Sequence, residues 1–466
     1  MSTSTPSPAD QGRRRTLAAL VATAGAPLLA RGGGARRRVG VVGAGMAGVA
    51  CAWMLDGACD VVLFEAASSI GGNVQTIDVE VGGQVYPIDI GAQYFHPAAY
   101  PNYVALLAQL GLYPPSTGGS HDFPASITQF NAGQPRPGFV SPVLPGRVWP
   151  IAADWNRAGL AAFEICFAAA KLREQHDASY DLTLGVWLPR LGLTTEQWQG
   201  MLLPWCASLY NGDIEAAMGI SARAALVFAA KTFPDKLTEP IVYYVLEQGM
   251  IEPLRRMAAQ FTTVDLHTGA PVSAVTRTAG GFRIDASGAG VSAQVDDVVF
   301  ASSGGPTLQL LAGISGTAAQ RAALGRIAFF DTQMMLHTDP VYVPSEPRYA
   351  SFLNSEVDGG YCEASMAMAA VYPDAPGGAP AVWKSWVTHR TSLPTQVLAS
   401  ASFRHLLSTP QSIHAQQALL KRQGEAGVWF AGGYTQPYDS QESALVSAMN
   451  VATGLGVAPR LGLPRA

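Results

Sequence analysis

Residues 39–55 read VGVVGAGMAGVACAWML, and residues 60–65 read DVVLFE. Val39-Gly40-Val41-Val42 is a short β-branched run, which predicts a buried parallel strand. Gly43-Ala44-Gly45-Met46-Ala47-Gly48 follows at once, and the apolar stretch Val49 to Leu55 predicts a helix. Asp60 to Phe64 predicts a second strand with Glu65 at its end, 22 residues after Gly43. Each piece has a mechanical reason. Gly43 permits the tight turn from strand to helix, Gly45 lets a backbone approach a pyrophosphate, and Gly48 lets the helix pack closely on the sheet. The helix N-terminus offers unpaired N–H groups to phosphates. An acid at 65 accepts hydrogen bonds from ribose hydroxyls and repels a 2′-phosphate. Strand, glycines, helix and acid in this order specify a dinucleotide site, without separating FAD from NAD.

The rest of the chain sets bounds. Its 466 residues are 48% hydrophobic and 14% charged, enough for a large core and more than one ordinary domain. Residues 1–38 hold seven arginines against Asp10 alone. Residues 39–466 then keep 23 basic and 33 acidic side chains, a formal charge of −10, which argues against a nucleic-acid partner. The five cysteines, at 51, 59, 166, 206 and 362, form no CxxC pair, and neither HExxH nor GxSxG occurs. No metal site, disulfide framework or serine-hydrolase centre is expected.

The first 38 residues read as an export signal and basic linker. Arg13-Arg14-Arg15 precedes the weakly apolar run Thr16 to Ala30, which is too short to span a membrane. Consecutive arginines there suggest the twin-arginine route, which carries folded cargo to a periplasmic or secreted destination. No integral membrane segment is expected once the signal is removed. The competing reading is a basic extension that stays on a cytoplasmic protein.

Further blocks resemble the flavin-containing amine oxidase superfamily. They are Ser69-Ile70-Gly71-Gly72-Asn73-Val74-Gln75-Thr76, Asp89-Ile90-Gly91-Ala92-Gln93-Tyr94-Phe95, His267 to Val272, Asp297 to Ser302, and Val428-Trp429-Phe430-Ala431-Gly432-Gly433-Tyr434-Thr435 with Glu442-Ser443-Ala444-Leu445. They stand in family order from about residue 39 to 455. Gly71–Glu80, Tyr94–Leu112, the MMLHTDP run ending at Pro340 and the Phe430–Glu442 turn resemble a bacterial subgroup of that superfamily, described as predicted NAD/FAD-binding proteins. The resemblance implies an α/β fold. A Rossmann-like FAD-binding domain, its parallel sheet interrupted by a three-stranded crossover, would be interleaved with a mixed α+β substrate domain. On that basis residues 39–100, 245–310 and 425–466 form the FAD-binding domain, and 101–244 and 311–424 the substrate domain.

Carried over residue by residue, the resemblance gives the cofactor contacts to Gly43, Ala44, Gly45, Met46, Ala47 and Gly48, to Glu65 and Ala66, and to Gly72 and Asn73. It adds Gly91, Ala92, Gln93 and Tyr94, the backbone of Val272, and Gly432, Gly433, Tyr434, Glu442, Ser443 and Ala444. Two departures weaken the match. Asn73 stands where many relatives have an arginine, and Gly433 where many have an acid on the ribityl chain. Monoamine oxidases attach FAD through a cysteine near the last turn. No cysteine follows Cys362, so FAD is expected to be non-covalent.

The implied activity is that of an FAD-dependent oxidoreductase. It would take a hydride from an amine or other apolar small molecule and pass the electrons to oxygen or another acceptor. Two alternatives are a flavin-dependent desaturase or isomerase acting on a lipid or polyene, and a non-catalytic flavoprotein scaffold. Tyr434 is the first catalytic candidate, as an aromatic substrate-side residue; its competing reading is packing alone. Lys384 is the second, since the chain has only five lysines and tryptophans flank this one; the competing reading is a solvent-facing lysine on an edge strand. His96 and His337 read as structural.

Overall fold

The structure is a computed structural model describing residues 36–461, except 142–153, 289, 374, 376 and 377. The described residues from Arg37 onward form one compact unit. The expected export segment lies outside the described residues but for Arg36–Arg38.

Strand β1 (Arg37–Val42), helix α1 (Met46–Leu55) and strand β2 (Cys59–Phe64) make the opening βαβ unit. The hairpin β3 (Thr76–Val81) and β4 (Gln84–Asp89) comes next, then α2 (Pro101–Gln109), β5 (Ser120–Ala125), β6 (Ile127–Asn131) and β7 (Phe139–Val140). A helical stretch holds α3 (Asp154–Gln175), α4 (Leu203–Ser208) and α5 (Ala222–Thr232). The chain returns through β8 (Ile241–Leu246), β9 (Val264–His267), the meander β10 (Val272–Thr278), β11 (Gly281–Ala286) and β12 (Ser292–Val295), and β13 (Asp297–Phe300). Helices α6 (Gly304–Leu311) and α7 (Ala318–Leu324) lead into β14 (Phe329–His337), β15 (Leu353–Asp358), β16 (Tyr361–Ala367), β17 (Trp383–Trp386) and β18 (Val397–Leu406). Helix α8 (Pro410–Leu420), β19 (Val428–Phe430) and α9 (Gln441–Gly454) end it.

A five-stranded sheet runs β19-β13-β1-β2-β9, parallel at every pairing. The antiparallel sheet β10-β11-β12 connects β9 back to β13, which is the expected crossover. It lies directly on β1: a Cβ on Gly40 would come 2.2 Å from Ile284 Cδ1, which would have to shift to admit it. All ten residues of α1 are buried. A helix apolar on every side must be enclosed, and α9 and the short helix Glu252–Ala258 cover it. The second layer is a seven-stranded mixed sheet, β18-β14-β17-β16-β15-β6-β7, with α3, α4 and α5 in the same core.

Apolar faces, rather than stretches of chain, decide where each element packs, and the layers depart from the expected boundaries. Tyr103, Leu106 and Leu107 of α2, expected in the substrate part, pack with α1. Leu311, Leu324, Leu406 and Leu419 pack beneath the parallel sheet with Phe300 and Phe430. Val79, Tyr86 and Ile88 of the β3–β4 hairpin join the core of the seven-stranded sheet.

Asp56, at the C-terminal end of α1, knots the opening unit to β9. It accepts hydrogen bonds from the backbone N–H groups and hydroxyls of Thr262 and Thr263. Burial opposes its charge, yet those four donors hold the carboxyl down at about 2. A depressed carboxyl stabilises the fold above its unfolded value and loses that contribution as pH falls through the folded one. Asp56→Asn is therefore expected to cost about 2 kcal/mol at pH 7. In urea denaturation the wild-type advantage should persist to about pH 4 and vanish towards pH 2.

Candidate active site

The fingerprint turn is built from close backbone approaches. Gly43 has φ +105°, and a Cβ there would meet the Ala301 backbone at 2.9 Å. On Gly48 a Cβ would come 1.8 Å from the Gly43 carbonyl oxygen. Gly45 is the N-cap of α1 in extended conformation, with no side-chain cap and no acid in the first turn. Met46, Ala47 and Gly48 are buried all the same. A buried helix start whose N–H groups lack a capping side chain suits an anion.

The glycine pair folds onto this turn. Gly71 N–H donates to the Ala44 carbonyl at 2.9 Å, Gly71 bridges Gly45, and a Cβ on Gly72 would stand 3.2 Å from Gly45 Cα. Glu65 accepts from Ala44 N–H at 2.7 Å and Ala67 N–H at 2.9 Å, beside the exposed Ala66. A carboxylate has about four acceptor positions, so capacity remains for hydroxyl donors. Ala270 N–H donates to the Glu65 carbonyl, which brings the start of β10 at Val272 to the same end of the sheet. Asn73 contributes its backbone: its carbonyl accepts from Ala92 N–H, and a Cβ on Gly91 would come 2.0 Å from that oxygen. The two glycine-rich segments and the Gly91–Tyr94 segment are thereby joined.

Beyond Gly91 the surroundings become apolar. Gln93 is buried; its Nε2 donates to Met368 Sδ at 3.6 Å, while Oε1 has no partner among the described residues. Tyr94 stacks on Tyr243 with centroids 4.5 Å apart. It also lines a small cavity of about 50 Å³ with Trp205, Phe228, Tyr243 and Phe352.

Lys384 is 2% exposed on a central strand, between β14 and β16, so the solvent-facing edge position is corrected. Its Nζ donates to the Gly91 carbonyl at 2.6 Å. Burial pulls the ammonium down to about 7, opposed by the Asp89 charge. Burial likewise pushes Asp89 up to about 7, opposed by hydrogen bonds from Thr76 and Met250 and by Lys384.

The C-terminal turn places its residues differently from expectation. The Tyr434 hydroxyl donates to the Phe300 carbonyl at 3.1 Å, and its ring packs in the core beneath the parallel sheet. A satisfied, buried hydroxyl on that side cannot serve a substrate cage, so Tyr434 has a packing role. Glu442 is 4% exposed, and its carboxylate accepts from Asn102 Nδ2, Asn102 N–H and Tyr103 N–H, capping α2. Burial raises this acid and the Tyr103 and Asn102 donors oppose the rise; its acceptors serve α2 rather than a cofactor. Ser443 N–H donates to Ser440 Oγ, and Ala444 N–H to the Ser440 carbonyl, so the start of α9 is capped, unlike that of α1. Gly432 has φ +139° and donates its N–H to Ser447 Oγ at 2.7 Å. Beside Gly433, where an acid is missing, stands an unforeseen one: a Cβ on Gly433 would come 2.2 Å from Asp439 Oδ1. Asp439 lies six positions on, and only the turn brings it there.

Both histidines are hydrogen-bonded within the chain. His96 Nδ1 accepts from Ala98 N–H. His337 is fully buried, with Nδ1 2.9 Å from the Asp339 carbonyl and Nε2 2.8 Å from Ser385 Oγ.

The model of the family described as flavin containing amine oxidoreductase matches residues 46–325, more than half of the chain. The chain belongs to that family. No curated protein matches the sequence. Among solved structures, a putative protoporphyrinogen oxidase from Exiguobacterium sp. 255-15 is similar at 18% identity and TM-score 0.58, over 91% of this chain and 100% of that one. A fatty acid isomerase from P. acnes that produces CLA is similar at 13% identity and TM-score 0.62, over 90% and 98%. Cyclohexylamine oxidase from Brevibacterium oxydans IH-35A is similar at 15% identity and TM-score 0.61, over 90% and 99%. At these identities the likeness establishes the fold. Family and fold make the chain a flavin-dependent oxidoreductase, and the uncapped start of α1, the Gly45–Gly72 approach and the unpaired Gln93 Oε1 fit a flavin dinucleotide.

Replacing Lys384 by methionine removes the donor to Gly91 and leaves Asp89 without its counter-charge. Lys384→Met is expected to cost about 3 kcal/mol in chemical denaturation. A carboxyl whose folded value is raised contributes most below its unfolded value and least above its folded one. The deficit should therefore be smaller at pH 5 than at pH 8, and adding Asp89→Asn should recover part of it.

Proposed function

We propose that this flavoenzyme binds FAD non-covalently and removes a hydride from a small molecule held against Gly91–Tyr94, passing the electrons to oxygen or another acceptor. The observation carrying this reading is continuity. The uncapped helix start at Gly45, the Gly71–Gly72 pair and the Gly91–Tyr94 segment form one backbone-linked surface, and that surface ends on the aromatic cavity.

In this reading the N–H groups of Met46, Ala47 and Gly48 hold the pyrophosphate, Glu65 the ribose, and the Val272 backbone the adenine. Gly72, Asn73, Gly432 and Gly433 leave backbone space for the rest, and Asp439 supplies a carboxylate beside Gly433. When bound, FAD supplies the two-electron acceptor. The chain's part is to orient a C–H bond against it and to exclude water, with Tyr94, Phe228 and Tyr243 forming the wall. Lys384 positions the Gly91 carbonyl; it would reach a reacting atom only by leaving that bond.

The cavity's apolar lining also suits the second reading, a desaturase or isomerase acting on a lipid or polyene. We further propose export through the twin-arginine-like segment. Changing Arg14 and Arg15 to lysine should retain the protein in the cytoplasm on cell fractionation, whereas unchanged distribution would favour a cytoplasmic protein.

The absorbance spectrum tests the central reading. Purified protein is expected to show flavin bands, with the chromophore passing a filter after denaturation. Gly45→Val has room to fold, since a Cβ there meets nothing closer than 3.7 Å, and should lose the colour by narrowing the pyrophosphate approach. A folded but colourless wild-type protein would support a non-catalytic scaffold.

A further inference from the structure

The order of the parallel sheet decides which half of a dinucleotide lies where. Glu65 follows β2, which pairs with β1 on one side. A ribose on Glu65 and a pyrophosphate on the start of α1 send the other half of the cofactor to the opposite side, over β13 and β19. Strand β19 lies two places from β1, about 10 Å at ordinary strand spacing. A hydroxylated chain leaving the pyrophosphate in that direction meets the turn that follows β19, at Gly432 and Gly433.

That turn holds a paired carboxylate. Asp439 Oδ1 lies so close over Gly433 that a Cβ there would come within 2.2 Å of it. Asp439 Oδ2 stands 3.3 Å from His405 Nδ1. A carboxylate only accepts, so this contact puts a proton on Nδ1. Oδ1 has no donor among the described residues, and the Asp439 side chain is 33% exposed, so a ligand can reach it.

His405 is held from two sides. It pairs across the sheet with Phe330 of β14, ring centroids 5.5 Å apart, and Phe403 of its own strand lies 6.1 Å away. The tip of the Phe403 ring comes within 3.1 Å of a Cβ built on Gly91. The pair therefore stands between the Gly433 turn and the Gly91–Tyr94 segment. Burial raises the Tyr100 and Tyr210 hydroxyls, and the Asp439 charge adds a smaller part. Tyr100 packs on Phe228, and the Tyr210 hydroxyl donates to the Ala224 carbonyl, which places the acid near α5.

We propose that Asp439 accepts a hydrogen bond from the hydroxylated chain of the flavin half, and that His405 is a positioning residue that fixes the carboxylate for it. This rests on the reading of the chain as an FAD-binding flavoenzyme. Within that reading, β18 of the seven-stranded sheet takes part in holding the cofactor through His405, although the dinucleotide fingerprint lies in the other layer.

The test compares FAD with ADP, which carries the adenosine and pyrophosphate but no hydroxylated chain. Both are titrated into the full-length protein after its flavin is stripped, FAD by fluorescence and ADP by calorimetry. Asp439→Ala is expected to weaken FAD about tenfold or more and to leave ADP unchanged within about twofold. Asp439→Asn keeps the shape and loses the charge; it should weaken FAD several-fold, and it serves if the alanine variant fails to fold. His405→Leu should weaken FAD several-fold, and His405→Asn, whose amide can donate in place of Nδ1–H, should recover most of that loss. In the Asp439→Ala background His405→Leu should add nothing. FAD binding indifferent to both Asp439 variants, FAD and ADP weakened alike, or a His405→Leu effect that persists without Asp439 overturns the proposal while leaving the flavoenzyme reading intact. Folded full-length protein that carries no flavin and takes up no FAD overturns that reading instead.

Discussion

The buried, uncapped start of α1 is the constraint from which the rest of the site follows. Ten apolar residues force that helix into the interior, where its first N–H groups cannot turn to bulk water. The chain around it supplies no side-chain cap and no acid. It supplies glycine backbones instead: Gly43 beneath, Gly48 within, and Gly71–Gly72 across. Each is a place where a Cβ would collide or crowd. The local positive potential of the helix end and the space in front of it have the same origin, a run of residues with almost no side chain.

A second constraint joins the two sheets. Lys384 comes from the middle of the seven-stranded sheet and bonds the carbonyl of Gly91, while Asp89 opposes its charge and accepts the N–H of Met250. Burying two ionisable groups carries a desolvation cost, which their mutual attraction and their hydrogen bonds offset. The pair thereby ties the Gly91–Tyr94 segment to the layer that also walls the aromatic cavity. Chain order alone keeps these apart, since Gly91 and Lys384 are 293 positions from each other.

The same logic separates the two helix starts near the expected cofactor. That of α9 has Ser440 as a cap on the Ser443 N–H, and its Glu442 carboxylate serves α2. That of α1 has no side-chain cap. The difference suits a division of labour in which α1 meets the most charged part of a dinucleotide and α9 chiefly holds the last turn in place. Asp439 stands beside Gly433 from six positions on, because the turn folds back on itself.

The opening βαβ unit, the crossover and the family were legible in the residues themselves. Strand periodicity, glycine spacing and an acid at the end of β2 are local properties, and backbone sterics at Gly43 and Gly48 act over a few residues. The roles of Tyr434, Glu442 and Lys384 were not legible. Whether a hydroxyl meets a carbonyl 134 positions away, or a carboxylate caps a helix 340 positions earlier, depends on how the layers close over one another. The aromatic cavity also belongs to tertiary structure. Its aromatic residues are scattered from 94 to 352 with no shared spacing, and only the packing of α4 and α5 against β6, β8 and the start of β15 gathers them into one wall.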